Sequence, residues 1–197
     1  MEEEFKIDDP RLLKVVAHPL RVRLLGLLRA QGPATASELG RAVGESSGLT
    51  SYHLRELAKH GFIEEDPEQR DGRERRWRAR HRYTSWDNLT LAATPEGREV
   101  LKVMQLRQLE AVARTVEAFD ESEWQREVVE AAGMSDHLVM LPPEGVRELN
   151  ERVGDLVREL AARYAGADGA EQYHLWTGAF PYPRHRDHPE HSEKEEP

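Results

Sequence analysis

The stretch from Ser46 to His60 carries side chains suited to contacting another macromolecule along one face of a predicted helix. Leu54, Leu57 and Ala58 recur at helical spacing and should face a core. The other side of the helix combines apolar, aromatic, hydroxyl and charged groups, which together can stack, donate hydrogen bonds and pair with anions. These outward or flanking residues are Ser47, Leu49, Ser51, Tyr52, His53, Arg55, Glu56, Lys59 and His60. A serine at the start can cap the helix, and Gly61 can end it.

A second group of residues, Arg70 to Arg82, is strongly cationic. It holds seven arginines against Asp71 and Glu74, a net charge of +5 in a chain of net charge −9. The positive charge is concentrated in the first half: residues 11–82 balance at +6, so the remainder carries −15. Local cationic density of this kind favours phosphate binding. A solvated, aggregation-resistant edge strand is the alternative interpretation of the arginines.

Several short helices must position these residues. Helices are predicted over residues 10–17 and 19–31, and Thr35 with Glu38 has the spacing of a capping box that opens another short helix. That helix should end near Gly44, just before the helix that begins at Ser46. Two short helices joined by a tight glycine-containing turn form a helix-turn-helix, although an ordinary αα-hairpin has the same local pattern.

A basic hairpin is predicted directly after these helices. Residues 62–66 and 74–80 read as strands, and Asp71-Gly72 between them is a strong signal for a tight turn. In the second strand Arg76, Arg78 and Arg80 should share one face, and Arg75, Trp77 and Ala79 the other. A basic hairpin after such a helix is typical of a winged helix-turn-helix.

Residues 12–82 resemble the DNA-binding domain of ArsR-type bacterial winged-helix transcription regulators. Three segments carry the resemblance: Ala17-His18-Pro19-Leu20-Arg21-Val22-Arg23-Leu24-Leu25, Ser51-Tyr52-His53-Leu54-Arg55-Glu56-Leu57 and Gly61-Phe62-Ile63. The resemblance implies a homodimer whose paired helices enter successive major grooves of double-stranded DNA. Without cysteine in the chain, the thiolate metal site of the family has no counterpart in residues 38–43.

Each outward residue suits a part of the DNA. Leu49 could meet a thymine methyl group, Tyr52 and His53 base edges, and Arg55 and Lys59 phosphates. His53 lies at the boundary of the core face, so a hydrogen bond to a neighbouring helix is the alternative for it. The wing residues Arg70, Arg73, Arg75 and Arg76 are expected to follow the flanking backbone or reach the minor groove. Loss of Arg73 or Arg76 should then weaken binding on all sequences and flatten its salt dependence.

The second half of the chain is predicted to assemble and regulate the molecule. Thr94-Pro95-Glu96 opens a helix with an apolar stripe of some 25 residues, interpreted as the main dimerisation helix, with an intramolecular core role as the alternative. A shorter helix follows over 122–132. Strands at 137–141 and 172–180, with a helix from Pro142 to Tyr164 between them, suggest a small α+β unit. It resembles C-terminal extensions of some actinobacterial members of the family.

Small-molecule and metal sites are only weakly indicated. His137, His174 and Trp176 could line a pocket for an unidentified effector, although packing explains most such residues. His185, His188 and His191 recur every three residues and could hold a metal weakly, but a disordered, solubilising tail is preferred. No nucleotide, zinc-hydrolase or nucleophile-elbow motif occurs, so we expect no enzymatic activity and no cofactor.

The sequence therefore predicts a mainly α protein with small β elements. Residues 1–9 are a disordered leader, 10–83 a winged helix-turn-helix domain, 84–182 a dimerisation and effector domain, and 183–197 a disordered tail. The absence of apolar spans, of a signal peptide and of cysteine favours a cytoplasmic protein. The predicted function is repression of transcription at a pseudo-palindromic operator. The alternative is a ligand- or metal-binding dimer that uses the winged helix for protein interaction.

Overall fold

Two units make up the chain in a computed structural model, which describes residues 2–68 and 75–182. The first unit is Met1–Trp124 and the second is Gln125–Pro197. The boundary expected between residues 83 and 84 therefore falls inside the first unit. The elements that follow residue 83 belong there because their apolar residues, Leu91, Leu101 and Met104 among them, are buried in its core.

The described part of the first unit contains six α-helices, and their starts follow the capping residues of the sequence. Asp9 accepts a hydrogen bond from the backbone N–H of Arg11 (2.8 Å), and Thr94 accepts one from that of Gly97 (3.0 Å). His18 caps the second helix, its Nδ1 accepting from the N–H of Leu20 (3.2 Å). The helices are α1 (Pro10–Val16), α2 (Pro19–Gln31), α3 (Ala36–Val43), α4 (Ser47–Lys59), α5 (Asn88–Ala92) and α6 (Pro95–Glu117).

Both strands of the predicted hairpin are present, as parts of a three-stranded antiparallel sheet. The three strands of this sheet are β2 (Ala34–Thr35), β3 (Ile63–Glu65) and β4 (Arg76–Ala79). The first strand of the chain, β1 (Glu2–Ile7), belongs to a second sheet. The order is β2-β4-β3, with Trp77 of β4 paired to both Ala34 and Glu65. The Asp71-Gly72 turn lies outside the described residues. The sheet ties the start of α3 to the wing through β2.

The leader predicted to be disordered is instead the strand β1. It pairs in parallel with β5 (His81–Trp86). Phe5 and Ile7 alternate along β1: the Phe5 ring lies 4.9 Å from that of Phe62, and Ile7 is fully buried. The three glutamates at residues 2–4 concealed this alternation, since only two apolar positions carry it.

The core of the first unit is formed by the stripes that the sequence predicts. Leu20, Leu24 and Leu28 of α2 are buried together with Leu54 and Leu57 of α4. Trp77 and Ala79 close the core from the sheet. The helices of the helix-turn-helix are thus held from one side, and the opposite side of α4 is left outward.

The two halves of helix α6 differ with respect to the two roles predicted for it, dimerisation and packing within its own core. Its first half is buried in the first unit through Gly97, Val100, Leu101 and Met104. Its second half is exposed, with Leu106, Leu109 and Val116 retaining 50%, 46% and 52% of their surface. The intramolecular role therefore applies to the start of the helix, and the end leaves an apolar face uncovered.

The second unit contains α7 (Arg126–Ala131) and α8 (Pro143–Arg163). The predicted strands at 137–141 and 172–180 were wrong: both stretches have irregular backbone, and Met140 and Phe180 are 99% and 62% exposed. Alternating apolar residues form a strand only where a partner strand and a face to bury are available. In the part of the chain that the structure describes, these stretches have neither. No described helix is long and apolar enough to cross a membrane.

Candidate nucleic-acid interface

The turn between α3 and α4 sets the position of the outward helix. Gly44 ends α3 with a left-handed φ of 76°, and the N–H of Glu45 donates to the carbonyl of Gly40 (2.8 Å). At Gly40 a Cβ atom would lie 2.8 Å from the carbonyl oxygen of Glu45 and 3.1 Å from the hydroxyl of Thr50. The two helices can approach this closely because Gly40 has no side chain.

Helix α4 has a buried face and an exposed face, as predicted. Its start is capped by Ser46, whose Oγ accepts from the N–H of Leu49 (3.3 Å). Thr50, His53, Leu54 and Leu57 are buried. The predicted outward residues stand on the other side, with Leu49 and Tyr52 at 41% and 55% exposure. Ser47, Arg55 and Lys59 are also exposed, and Ser51 is half-buried.

His53 belongs to the buried face, so the outward role expected for it is corrected. It is 6% exposed, and its ring lies 4.5 Å from that of His18, which caps α2. Its Nδ1 is buried without a hydrogen-bond partner among the described residues. Burial, and then the charge of Arg21, lower the pKa of His53, against a smaller opposing effect of Glu45 and Glu56. A neutral, buried imidazole cannot reach a base edge.

The described part of the wing follows the predicted alternation. Trp77 and Ala79 are buried, while Arg76, Arg78 and Arg80 share the half-buried face. Glu64 on β3 pairs with Arg78 (2.7 Å) and with Arg80 (3.6 Å). Part of the cationic charge that the sequence assigns to phosphates is therefore neutralised within the sheet.

Arg76 braces the wing against α3. It pairs with Glu38 (3.4 Å) and donates to the carbonyl of Pro33. Glu38 completes the predicted capping box by accepting from the N–H of Thr35 (2.7 Å), a bond that lowers the pKa of the carboxyl group. The sequence predicted a phosphate contact for Arg76, and its guanidinium has two partners within the domain.

Arg75 keeps an outward position. Its guanidinium lies 5.6 Å from the centre of the Trp77 ring, and its Nε lies 3.1 Å from Glu65 in an exposed ion pair. Stacking on an indole orients a guanidinium while leaving its edge open to a further acceptor.

A cleft of about 420 Å³ opens where α3, α4 and β4 meet. Hydroxyl groups of Thr35, Ser37, Ser47 and Ser51 line it, with Arg55 and Arg75 on its walls. No carboxylate is among its described lining residues; Ala36 and Trp77 complete them. Residues 36, 37 and 47 are first-turn residues of α3 and α4, where the positive ends of two helix dipoles lie. The cleft therefore presents donors and positive potential, the chemistry that holds a phosphate group.

Sequence reasoning missed four members of this cleft: Thr35, Ala36, Ser37 and Trp77. Thr35 was recognised only as a cap, and nothing in the local pattern of Ser37 or Trp77 indicates that α3 and β4 meet beside α4. The structure also shows that the half-buried Arg29 links α2 to β5: it donates to the carbonyl of His81 (3.0 Å) and to Thr84 (2.8 Å). Burial lowers the pKa of Arg29 to about 10.

Of the remaining predicted site residues, His137, His174 and Trp176 lie within the part of the chain that the structure describes. Arg70, Arg73 and the three tail histidines lie outside the described residues. His137 and His174 are exposed, and Trp176 is 41% exposed beside Gly178, where a Cβ would lie 2.7 Å from its ring. The effector pocket stays a prediction. Groups of three or more metal-ligating side chains are absent from the part of the chain that the structure describes.

Comparison with known proteins concerns mainly the first unit. Residues 16–66 match a family model described as a helix-turn-helix domain. These residues of the chain therefore form a helix-turn-helix domain. The HTH-type transcriptional regulator YgaV of Escherichia coli K12 is 38% identical over 53 residues. The match spans 27% of this chain and 54% of YgaV, so the chain covers about half the length of this curated relative.

Solved structures similar to this chain include two transcription-regulator chains. One is the homodimeric winged helix-turn-helix DNA-binding domain of Mb0332 from Mycobacterium bovis, a possible ArsR-family regulator. It is 23% identical, covers 56% of this chain and 83% of its own, and has a TM-score of 0.32. The other, a possible transcriptional regulator for arsenical resistance, is 25% identical, covers 62% and 97%, and has a TM-score of 0.31.

Proposed function

We propose that this protein is a sequence-specific DNA-binding transcription regulator that acts as a homodimer without catalysing a reaction. The observation that carries the proposal is the carboxylate-free cleft beside α4, where four hydroxyl groups and two guanidinium groups converge among the described residues. A backbone phosphate held there would place the exposed face of α4 against the adjacent major groove, which is wide enough to admit a helix.

Within this arrangement the outward residues of α4 divide between base edges and phosphates. Leu49 faces a thymine methyl group, and Tyr52 contacts a base edge or a sugar. Ser47, Ser51, Arg55 and Lys59 contact phosphate oxygens from the cleft and its rim. Arg75, Arg70 and Arg73 follow the flanking backbone from the wing. Arg76 is left out because Glu38 and the Pro33 carbonyl already hold it, and His53 because it is buried.

The dimer is proposed to form through the exposed second half of α6. Leu106, Leu109 and Val116 line that half, and pairing it with the same face of a second copy would bury them. Two-fold symmetry relates two α4 helices, so the operator is expected to be pseudo-palindromic. We propose repression as the sign of regulation, because a dimer bound across a promoter excludes polymerase without any further contact surface. A DNA target implies a cytoplasmic location.

Salt titration with two matched arginine variants tests the proposal. Binding to a fragment of the protein's own promoter region is measured by fluorescence anisotropy between low and high salt. Arg55→Ala should weaken binding to all sequences and reduce the slope of log K against log salt by about one for each protomer, as loss of a phosphate contact does. Arg76→Ala should leave the slope within error of the parent, since its charge pairs inside the domain.

Equal slopes for the parent and Arg55→Ala would contradict the phosphate role of the cleft. If the parent chain protects no site in genome-wide footprinting, that result would contradict DNA binding altogether. Leu49→Ala tests the contribution of α4 to sequence specificity. Loss of the contact with a thymine methyl group should change the preferred base at one position and leave the salt slope unchanged.

A further inference from the structure

Helix α8 has an apolar face that nothing described in its own unit covers fully. It runs from Pro143 to Arg163, and none of its 21 residues is buried. Leu149, Leu156 and Leu160 retain 45%, 52% and 37% of their surface. Most of the stability of a helix in a protein comes from packing its apolar face. A helix of about six turns with one continuous apolar stripe therefore requires a partner surface.

The spacing of the stripe is that of a coiled-coil seam. Apolar residues alternate at intervals of three and four, with valine at the first two a positions and leucine at the first two d positions. The seam consists of Val146, Leu149, Val153, Leu156 and Leu160, with Val157 beside it.

We propose that α8 pairs with α8 of a second copy of this chain, in antiparallel orientation. The symmetric arrangement that uses most of the seam centres between residues 154 and 155. It sets Leu149 opposite Leu160 of the partner subunit, and Val153 opposite Leu156 of the partner subunit. This surface lies in the second unit and is separate from the DNA-binding face proposed for the first.

Charge decides the orientation. Arg152 and Glu159 flank the seam on the same side of α8, and the antiparallel arrangement places Arg152 near Glu159 of the partner subunit, twice by symmetry. A parallel pair would instead set Arg163 against Arg163 of the partner subunit at a d position. Antiparallel packing also opposes the two helix dipoles.

The same charges have partners within a single copy, and all of these are exposed. Arg152 pairs with Glu148 (2.5 Å), and Glu159 pairs with Arg163. Exposed side chains of this kind can bind a second partner across an interface without losing the first.

The apolar stretches at 134–141 and 173–180 are the alternative partner for the apolar face of α8, since Leu138 and Leu175 are also exposed.

Cysteine cross-linking of the full chain separates these arrangements, because the chain contains no cysteine of its own. Leu149→Cys and Leu160→Cys are prepared separately, mixed until subunits have exchanged, and oxidised gently at low micromolar concentration. In the antiparallel pair the two positions meet. Two copies of residue 149 lie 11 residues apart along the seam, about 16 Å, which exceeds the roughly 7 Å that a disulfide can span.

The mixture should therefore form the mixed disulfide at least about tenfold faster than either variant alone. Rapid homodimeric disulfides of Leu149→Cys would overturn the antiparallel arrangement. Cross-linking no faster than that of Glu151→Cys, on the opposite face of α8, would overturn pairing of α8 and favour intramolecular cover.

Charge reversal supplies the second arm. Arg152→Glu should slow the mixed disulfide about fivefold, and adding Glu159→Arg should restore the parental rate, because the reversed pair attracts again. Unchanged rates in both variants would contradict the charge-based orientation. DNA binding of each variant is measured by anisotropy in parallel. Loss of cross-linking with retained DNA binding counts against α8 pairing alone, and loss of DNA binding in the parent counts against the proposed function alone.

Discussion

His18 and His53 are two titratable side chains whose rings lie 4.5 Å apart inside the first unit. Burial lowers the pKa of each; for His18 the neighbouring charges of His53, Arg21 and Arg107 lower it further. For His53, Arg21 acts in the same direction, and Glu45 and Glu56 oppose it. These groups come from α2, α4, α6 and the α3–α4 turn. The folded protein therefore disfavours protonation of the pair more than the unfolded chain does.

The pair predicts loss of stability at acid pH. Because the folded pKa values lie below the ordinary value of about 6.5, the unfolded chain binds more protons between the two values. The stabilisation that comes from keeping both histidines neutral is fully present above about pH 6.5. It is lost as the pH falls through the pKa values of the folded protein. Urea unfolding of the full chain at about pH 8 and about pH 5.5 should show a lower midpoint at the acid pH.

His53→Phe should remove part of this pH dependence, since the ring volume is kept and the titrating nitrogen is lost. His60→Gln serves as the matched control, as it lies at the end of the same helix. A parental pH dependence in His53→Phe would rule out His53 as a contributor.

At the residue scale, type and position were predictable and partners were not. The sequence placed Arg75 and Arg76 side by side in the wing, and both were interpreted as phosphate contacts. Only the fold shows that Arg76 meets Glu38, which is 38 residues away in sequence. An arginine on a strand can pair outward or inward, and the choice depends on which carboxylate the topology brings near.

At the scale of elements, the tight contact between α3 and α4 controls how α4 is presented. Gly40 allows the contact, because a Cβ atom there would lie 2.8 Å from the carbonyl oxygen of Glu45. A Cβ atom added at Gly48, in the first turn of α4, would meet no described heavy atom within 4 Å. The two glycines therefore form a matched pair: one is required by packing, and the other is not.

Gly40→Ala should lower the free energy of unfolding by about 1–3 kcal/mol, because the added methyl group overlaps the backbone of Glu45. Gly48→Ala should raise it by about 0.5–1 kcal/mol, since alanine favours an exposed helix. Chemical denaturation of both variants at one pH measures the difference. A neutral Gly40→Ala would mean that the turn relaxes and does not fix α4.

Prediction of the elements succeeded where caps and periodicity agreed. Helix α2 has the predicted bounds, and the Thr35–Glu38 capping box is present. The prediction of strands in the second unit failed for a physical reason. An alternating pattern indicates which residues could be buried, but it does not show that a surface is available to bury them. Strand β1 was missed for the converse reason: a partner strand, β5, was available but not apparent from local sequence.

At the scale of the whole molecule, charge is divided between a cationic and an acidic part. Residues 11–82 carry +6 and the remainder −15, so the proposed DNA partner would be attracted to residues 11–82 and repelled by the remainder. The exposed half of α6 belongs to the first unit, which means that the proposed dimer contact does not require the second.

A chain ending at Trp124 should therefore remain folded, dimerise and bind DNA. Leu109→Glu should convert this truncated chain to monomers, because it places a charge in the proposed contact, and Leu89→Glu on exposed α5 should not. Sedimentation velocity measures the assembly state. A monomeric parent truncation would contradict dimerisation through α6 and assign assembly to the second unit.

The sequence by itself determined the helix-turn-helix, the wing strands and the outward face of α4, because local caps, turns and periodicity are properties of neighbouring residues. Only the tertiary structure decided that His53 is buried, that Arg76 is paired and that α3, α4 and β4 enclose a cleft. Those outcomes depend on contacts between residues far apart in the chain, whose distances are set by the packing of the core.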